Sequence, residues 1–141
     1  MLQPIDLLGT YLHLARASQV RQRPHVRDRL LVLAGTLASQ MRLPRIAACC
    51  REQVLHHNPR HMLGRWPTFS EALQSVDFLH LLRHLQQRFS PERCERLREN
   101  LGIDLARERA SYYSDEEYAA ALLGTNSQRL SDEFGDSAEN A

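Results

Sequence analysis

Residues 24–41, PHVRDRLLVLAGTLASQM, contain the clearest amphipathic pattern in the chain. Large apolar residues recur in this stretch every three or four positions, which places them on one face of an α-helix; they are Val26, Leu30, Leu33, Leu37 and Met41. Pro24 suits the first turn of a helix, and the Leu43-Pro44 step favours a break after it. The stretch therefore predicts an amphipathic helix that packs against other helices.

The flanking sequence predicts further helices of the same kind. Residues 4–19 are apolar around most of a helical circumference, and residues 44–57 carry one apolar face. Capping residues Thr68, Ser90 and Ser114 indicate three more helices, over residues 69–89, 91–101 and 115–123. The second and third of these helices end at Gly102 and Gly124. No window alternates between apolar and polar residues as a strand does. We therefore expect an all-α fold, a compact bundle of about five or six short helices.

The last part of the chain changes in composition. From Thr125 to Ala141 the residues are mostly Ser, Asn, Asp, Glu and Gly, with only Leu130 and Phe134 as bulky apolar groups. Such a composition buries too little apolar surface to order a chain. The sequence thus predicts a helical domain over residues 1–124 and a disordered acidic tail over residues 125–141.

Composition excludes several classes of chemistry. All 18 basic residues are Arg, so a lysine Schiff base and a P-loop lysine are both ruled out. The net charge of +1 weighs against a simple polyanion binder. An odd number of cysteines (Cys49, Cys50 and Cys94) predicts no disulfide framework. With neither a leader pattern nor an apolar stretch long enough to span a bilayer, we expect a cytoplasmic protein that does not bind membranes.

Charge is divided unevenly along the chain. Residues 1–65 contain ten Arg against three acidic residues, whereas residues 110–141 contain one Arg against seven acidic residues. Oppositely charged halves attract each other. We expect the acidic end either to lie over the basic helices or to pair with those of a second copy, unless both are simply solvated surfaces.

A histidine-rich region suggests a metal site as one alternative. Five of the seven histidines lie between residues 56 and 84, and Asp77, His80 and His84 share one side of the helix predicted over residues 69–89. Imidazole and carboxylate groups are ligands of zinc and non-haem iron. The apolar side of the same helix points about 165° away, so the triplet is expected to face solvent or a neighbour. His57 and His61 are candidates to complete a Zn or Fe shell, although no cofactor is the simpler expectation.

A second alternative is nucleic-acid binding through the Arg-rich first half. The Leu43-Pro44 break separates two predicted helices in the manner of a helix-turn-helix, and Arg45 and Arg51 are candidate phosphate contacts. The would-be recognition helix begins with small and apolar residues, which read bases poorly. We therefore do not expect nucleic acid to be the main partner.

The interpretation we favour from sequence is a protein-interaction module. Aromatic residues beside arginines in loops have the composition of an interface hot spot, and these candidate partner-binding residues are Arg65, Trp66, Phe69, Tyr112 and Tyr113. No nucleophile motif or catalytic constellation is visible, so we expect a non-enzyme. The predicted function is a small helical protein that binds a protein partner or a second copy of itself.

Overall fold

The computed structural model describes residues 3–135, and these residues contain no β-strand. Nine α-helices and one 3₁₀ helix form in this part of the chain: α1 Pro4–Val20, α2 Pro24–Gln40, α3 Pro44–His57, the 3₁₀ helix Met62–Arg65, α4 Phe69–Ala72, α5 Val76–Arg88, α6 Pro91–Asn100, α7 Leu105–Arg109, α8 Asp115–Leu122 and α9 Ser127–Phe134. The predicted all-α class is confirmed, but the predicted number of helices is too low. No helix in residues 3–135 is both long and apolar enough to cross a membrane.

Helices α1, α2 and α3 form the antiparallel centre of the fold, with α2 between the other two. The predicted stripe of α2 is only part of its buried surface, because residues 30–36 are buried without interruption. Neighbours on both sides of α2 account for this, since α1 covers one flank and α3 the other. Short turns join the three helices, and the residues at their tight points, Gln22 and Arg42, have left-handed backbone angles (φ of 58° and 61°).

The predicted helix over residues 69–89 is in fact two helices, α4 and α5, separated by a break at residues 73–75. Nine residues separate Phe69 from Phe78, so one continuous helix at 100° per residue would place their rings on opposite faces. The break lets both rings enter the core, where their centroids are 6.1 Å apart. Burial of a second large aromatic side chain therefore outweighs helix continuity here.

Two further helices form where the sequence predicted a turn and a disordered tail. Asp104 caps α7 through a hydrogen bond from the Arg107 amide, and Asn126 caps α9 through one from the Arg129 amide. Leu130 is 1% exposed and lies on the side of α9 that packs against α3. The prediction of a disordered tail is thus wrong for residues 127–134, while residues 136–141 lie outside the described residues.

Candidate functional site

The first three predicted partner-binding residues lie around the 3₁₀ helix and have different environments. Arg65 is exposed and pairs with Asp77 at 3.5 Å. Trp66 is half-buried, with its ring edge-on to Phe78 and its backbone carbonyl accepting a hydrogen bond from the Arg51 guanidinium. Phe69 is 1% exposed and belongs to the core, so its ring cannot contact a partner at the surface. The assignment of Phe69 as a surface anchor is corrected accordingly.

The two predicted tyrosines lie in the turn before α8. Tyr112 is partly exposed and contacts the ring of Tyr118, with centroids 5.5 Å apart. Tyr113 is 99% exposed and contributes only its backbone amide, which donates to the Glu117 carboxylate. Tyr112 therefore packs against α8 while the side chain of Tyr113 extends into solvent, and Trp66 contacts α3 and α5. Partner binding by either group stays a prediction.

The five predicted metal ligands do not come together. Among the described residues, no group of three or more His, Cys, Asp or Glu side chains could hold a metal ion. His57 donates its Nδ1 proton to the buried carboxylate of Asp28, which fixes the orientation of this imidazole. His61 caps the 3₁₀ helix by accepting from the Leu63 amide at 3.1 Å, and burial lowers its pKa. His57 and His61 thus have structural partners of their own.

The remaining three candidate ligands lie on the outward face of α5, as their helical spacing predicted. Asp77, His80 and His84 are all exposed. Asp77 faces Arg65, while the Nε2 atoms of His80 and His84 lie 3.3 Å apart. The structure therefore joins the two histidines and directs the aspartate to another residue.

Both predicted phosphate contacts are engaged within the protein. The guanidinium of Arg45 makes a two-pronged contact with the Glu116 carboxylate, at 3.0 and 3.1 Å. Arg51 donates from Nε to the carbonyl of Trp66 at 2.9 Å. These contacts use some of the guanidinium donors and hold both side chains against acceptors of the protein itself.

The three thiols are poorly suited to nucleophilic chemistry. Burial raises the pKa of the Cys49 and Cys94 thiols to about 11 and raises that of Cys50 well above its ordinary value. A thiol with such a pKa is protonated at neutral pH and reacts slowly. Among residues 3–135, no hydroxyl or thiol group hydrogen-bonds to the imidazole of His57, the one histidine oriented by a buried carboxylate.

A basic surface lies where α1 ends, α2 begins and α3 ends, and we call it the basic end. The antiparallel topology brings these termini together, as the contact between His25 and His57 shows, with ring centroids 5.6 Å apart. The basic end carries four exposed arginines that form no ion pair among the described residues: Arg16, Arg21, Arg23 and Arg60. Val20 in the same turn is 79% exposed. The basic end therefore combines positive charge with an exposed apolar side chain.

A cavity of about 410 Å³ opens beside this surface, and we call it the basic cleft. Its lining contains no acidic side chain; it consists of Leu12, Ala15, Arg16, Gln19, Val20, Arg27, Leu31, Gln53, Leu122, Leu123 and Gly124. A second cavity of about 420 Å³ extends toward α9 and shares five lining residues with the basic cleft: Gln19, Arg27, Gln53, Leu123 and Gly124. Its lining also contains the acidic residues Glu52 and Glu133, so the absence of acidic side chains is a property of the basic cleft alone.

Arg27 is the most constrained charge in the basic cleft. It is largely buried and donates to the backbone carbonyl of Gln53 at 3.0 Å. Its buried Nε has no hydrogen-bond partner among the described residues, because the nearest carboxylate oxygen, on Asp28, is 3.9 Å away. An unpartnered buried donor costs free energy, so this guanidinium is held in the cleft wall at a cost in stability.

Sequence reasoning missed the basic cleft although its signal was present. Residues 1–65 contain an excess of arginine. If the first three helices are antiparallel, residues 16–29 and 56–60 lie at the same end of the bundle. The apolar wall from Leu122 and Leu123 has no such signal, because it depends on how α8 docks against α1 and α3.

Comparison with known proteins adds no family, since no family model, curated protein or solved structure matches this chain.

Proposed function

We propose that this protein is a non-catalytic interaction module that binds an acidic, partly apolar segment of a partner protein in the basic cleft. The observation that carries the proposal is the lining of the cleft, where Arg16 and Arg27 flank apolar walls and no acidic side chain is present. A partner carboxylate can pair with a guanidinium in a bidentate contact, and a neighbouring Leu or Phe can bury its side chain against Leu12 and Leu122.

The apolar walls favour a protein segment over nucleic acid as the occupant. Nucleic-acid affinity comes mainly from phosphate contacts to Arg and Lys, which need no apolar wall. The arginines that the sequence suggested for that role, Arg45 and Arg51, contact Glu116 and the Trp66 carbonyl instead. The absence of a nucleophile beside His57 among the described residues, together with the protonated thiols, supports a binding role over a catalytic one.

The proposal is tested by selecting peptides from a random dodecapeptide display library on the immobilised protein. We expect enrichment of peptides that combine Asp or Glu with Leu, Ile or Phe, and micromolar or tighter binding measured by fluorescence anisotropy. Arg16→Glu should weaken this binding at least about tenfold, since a hydrogen bond to a charged group contributes about 1.5–3 kcal/mol.

Arg96→Glu provides the matched control, because Arg96 is exposed on α6 and does not line the cleft. The same charge change there should leave peptide affinity within about twofold. Enriched peptides without acidic residues, or peptides that bind Arg16→Glu as tightly as the parent protein, would overturn the proposal. So would a protein that selects no peptide but binds duplex DNA in an Arg16-dependent manner, which would assign the basic end to nucleic acid.

A further inference from the structure

The outward face of α5 brings two imidazole rings into direct contact. His80 and His84 are one helical turn apart, both are exposed, and their ring centroids lie 4.7 Å apart at an interplanar angle of 84°. Their Nε2 atoms are separated by 3.3 Å. The two rings therefore bring their Nε2 atoms side by side on the exposed face of α5.

This separation matches the geometry of a zinc chelate. Zinc binds imidazole nitrogen at about 2.0–2.1 Å with tetrahedral angles, which places two such nitrogens about 3.3–3.4 Å apart. Rotation of the side chains must still turn both Nε2 lone pairs toward one ion, since the two atoms now form a hydrogen-bond contact. The backbone of α5 holds the two residues in register, so chelation costs less side-chain entropy than it would in a loop.

We infer that His80 and His84 form a two-histidine site for Zn²⁺ on the surface of α5, with water completing the coordination shell. Asp77 is not included, because its carboxylate faces the Arg65 guanidinium at 3.5 Å. Among the described residues no three-ligand cluster is present, which leaves the remaining coordination positions to solvent. The inference is independent of the basic cleft, since neither histidine lines that cavity.

The chemistry of the pair fixes the class of ion. Imidazole nitrogen suits zinc and other late first-row divalent metals, whereas Ca²⁺ and Mg²⁺ prefer oxygen ligands. Zinc binding uses the Nε2 lone pairs of both rings, so a proton carried on either Nε2 must move to Nδ1 of the same ring or to solvent.

The test is isothermal titration of the full-length protein with ZnCl₂ alone, in a buffer that binds zinc weakly. We expect one ion per chain, no heat with CaCl₂ or MgCl₂, and at least a tenfold loss of affinity in His80→Ala and in His84→Ala. Thermal unfolding followed by circular dichroism should show stabilisation by Zn²⁺ in the parent protein and none in the double variant His80→Ala, His84→Ala. Both histidines are exposed, so these variants are expected to fold.

Two control variants sharpen the assignment. His56→Ala removes an exposed imidazole on α3 and should leave zinc affinity unchanged, and Asp77→Asn should change it by less than about threefold. Undiminished binding by the double variant would overturn the site. A loss in Asp77→Asn as large as that in His80→Ala would replace the pair by a three-ligand site, and half an ion per chain would replace it by a site shared between two copies.

Discussion

Replacing Gly35 with alanine tests whether Phe69 is the core residue that the structure describes or the surface anchor that the sequence suggested. Gly35 lies in the buried part of α2, and the ring of Phe69 packs directly over it. In a surface-anchor arrangement the substitution would stabilise the protein, since alanine favours helix by about 1 kcal/mol over glycine. The structure predicts the opposite sign.

The magnitude follows from the contact distances. A Cβ atom on residue 35 would lie 2.2 Å from Cε2 and 2.4 Å from Cζ of Phe69. Both distances are well below the ordinary carbon–carbon contact distance of about 3.5–4.0 Å. The ring has little room to retreat, because it is 1% exposed and packs against Phe78. Overpacking of this kind costs about 1–3 kcal/mol at most sites, and the severity of the clash favours the upper part of that range. After the gain in helix propensity we expect a net destabilisation of about 2 kcal/mol.

The assay is urea denaturation followed by circular dichroism, with Gly64→Ala as the matched control. A Cβ atom on residue 64 meets nothing closer than 3.7 Å, so that variant should change the free energy of unfolding by less than about 0.5 kcal/mol. Phe69→Leu in the Gly35→Ala background should reveal a favourable coupling of at least about 1 kcal/mol, because the smaller side chain relieves the clash. Additive effects, or a Gly35→Ala variant as stable as the parent, would refute the packing of Phe69 against α2.

Two further predictions concern other buried groups. Leu130→Ala should lower the free energy of unfolding by about 2 kcal/mol in urea denaturation, because Leu130 is the buried residue of α9; no measurable change would mean that α9 does not pack. Raising the pH from about 9 to 11 should also destabilise the protein, because the Cys49 and Cys94 thiols have a pKa of about 11 when folded and 9.0 as an ordinary value. The unfolded chain releases those protons at lower pH than the folded chain. The contribution of the two thiols to the free energy of unfolding is therefore fully present below pH 9 and is lost as the pH rises through 11. The fall should be smaller in a Cys49→Ala, Cys94→Ala double variant, and an equal fall would contradict the assignment.

The parts of the fold that were predictable from sequence are those specified by local signals. The left-handed glycines at Gly102 and Gly124 end helices as predicted. The hydroxyls of Thr68 and Ser114 cap helices by accepting hydrogen bonds from the amides of Glu71 and Glu117. The break between α4 and α5 carries no comparable local signal, because it is imposed by the burial of Phe69 and Phe78 on the same side. Tertiary packing overrides helical periodicity at that point.

The candidate sites were less predictable because they depend on which groups meet across the fold. Helical spacing placed His80 and His84 on the same outward face of α5, as the structure has them. Spacing could not show that His57 contacts Asp28, since these residues are 29 positions apart on different helices. Likewise, the loop predicted over residues 58–68 suggests that the neighbouring Phe69 is exposed. Its ring instead lies in the core, in the space that the missing side chain of Gly35 leaves on α2.

The uneven charge of the chain is the reason why we propose a partner site at one end of the bundle. The sequence left open whether the acidic end lies over the basic helices, pairs with a second copy or is simply solvated. The contact of Arg45 with Glu116 joins the start of α3 to the start of α8 within one chain. At the opposite end, α8 contributes uncharged Leu122 and Leu123, and the Leu123 carbonyl accepts from the Gln53 side chain at 3.2 Å. Internal pairing thus neutralises Arg45 at the start of α3 but leaves Arg16, Arg21 and Arg23 without an ion pair among the described residues. An acidic segment from another chain would supply there the charge that Glu116 supplies at the other end.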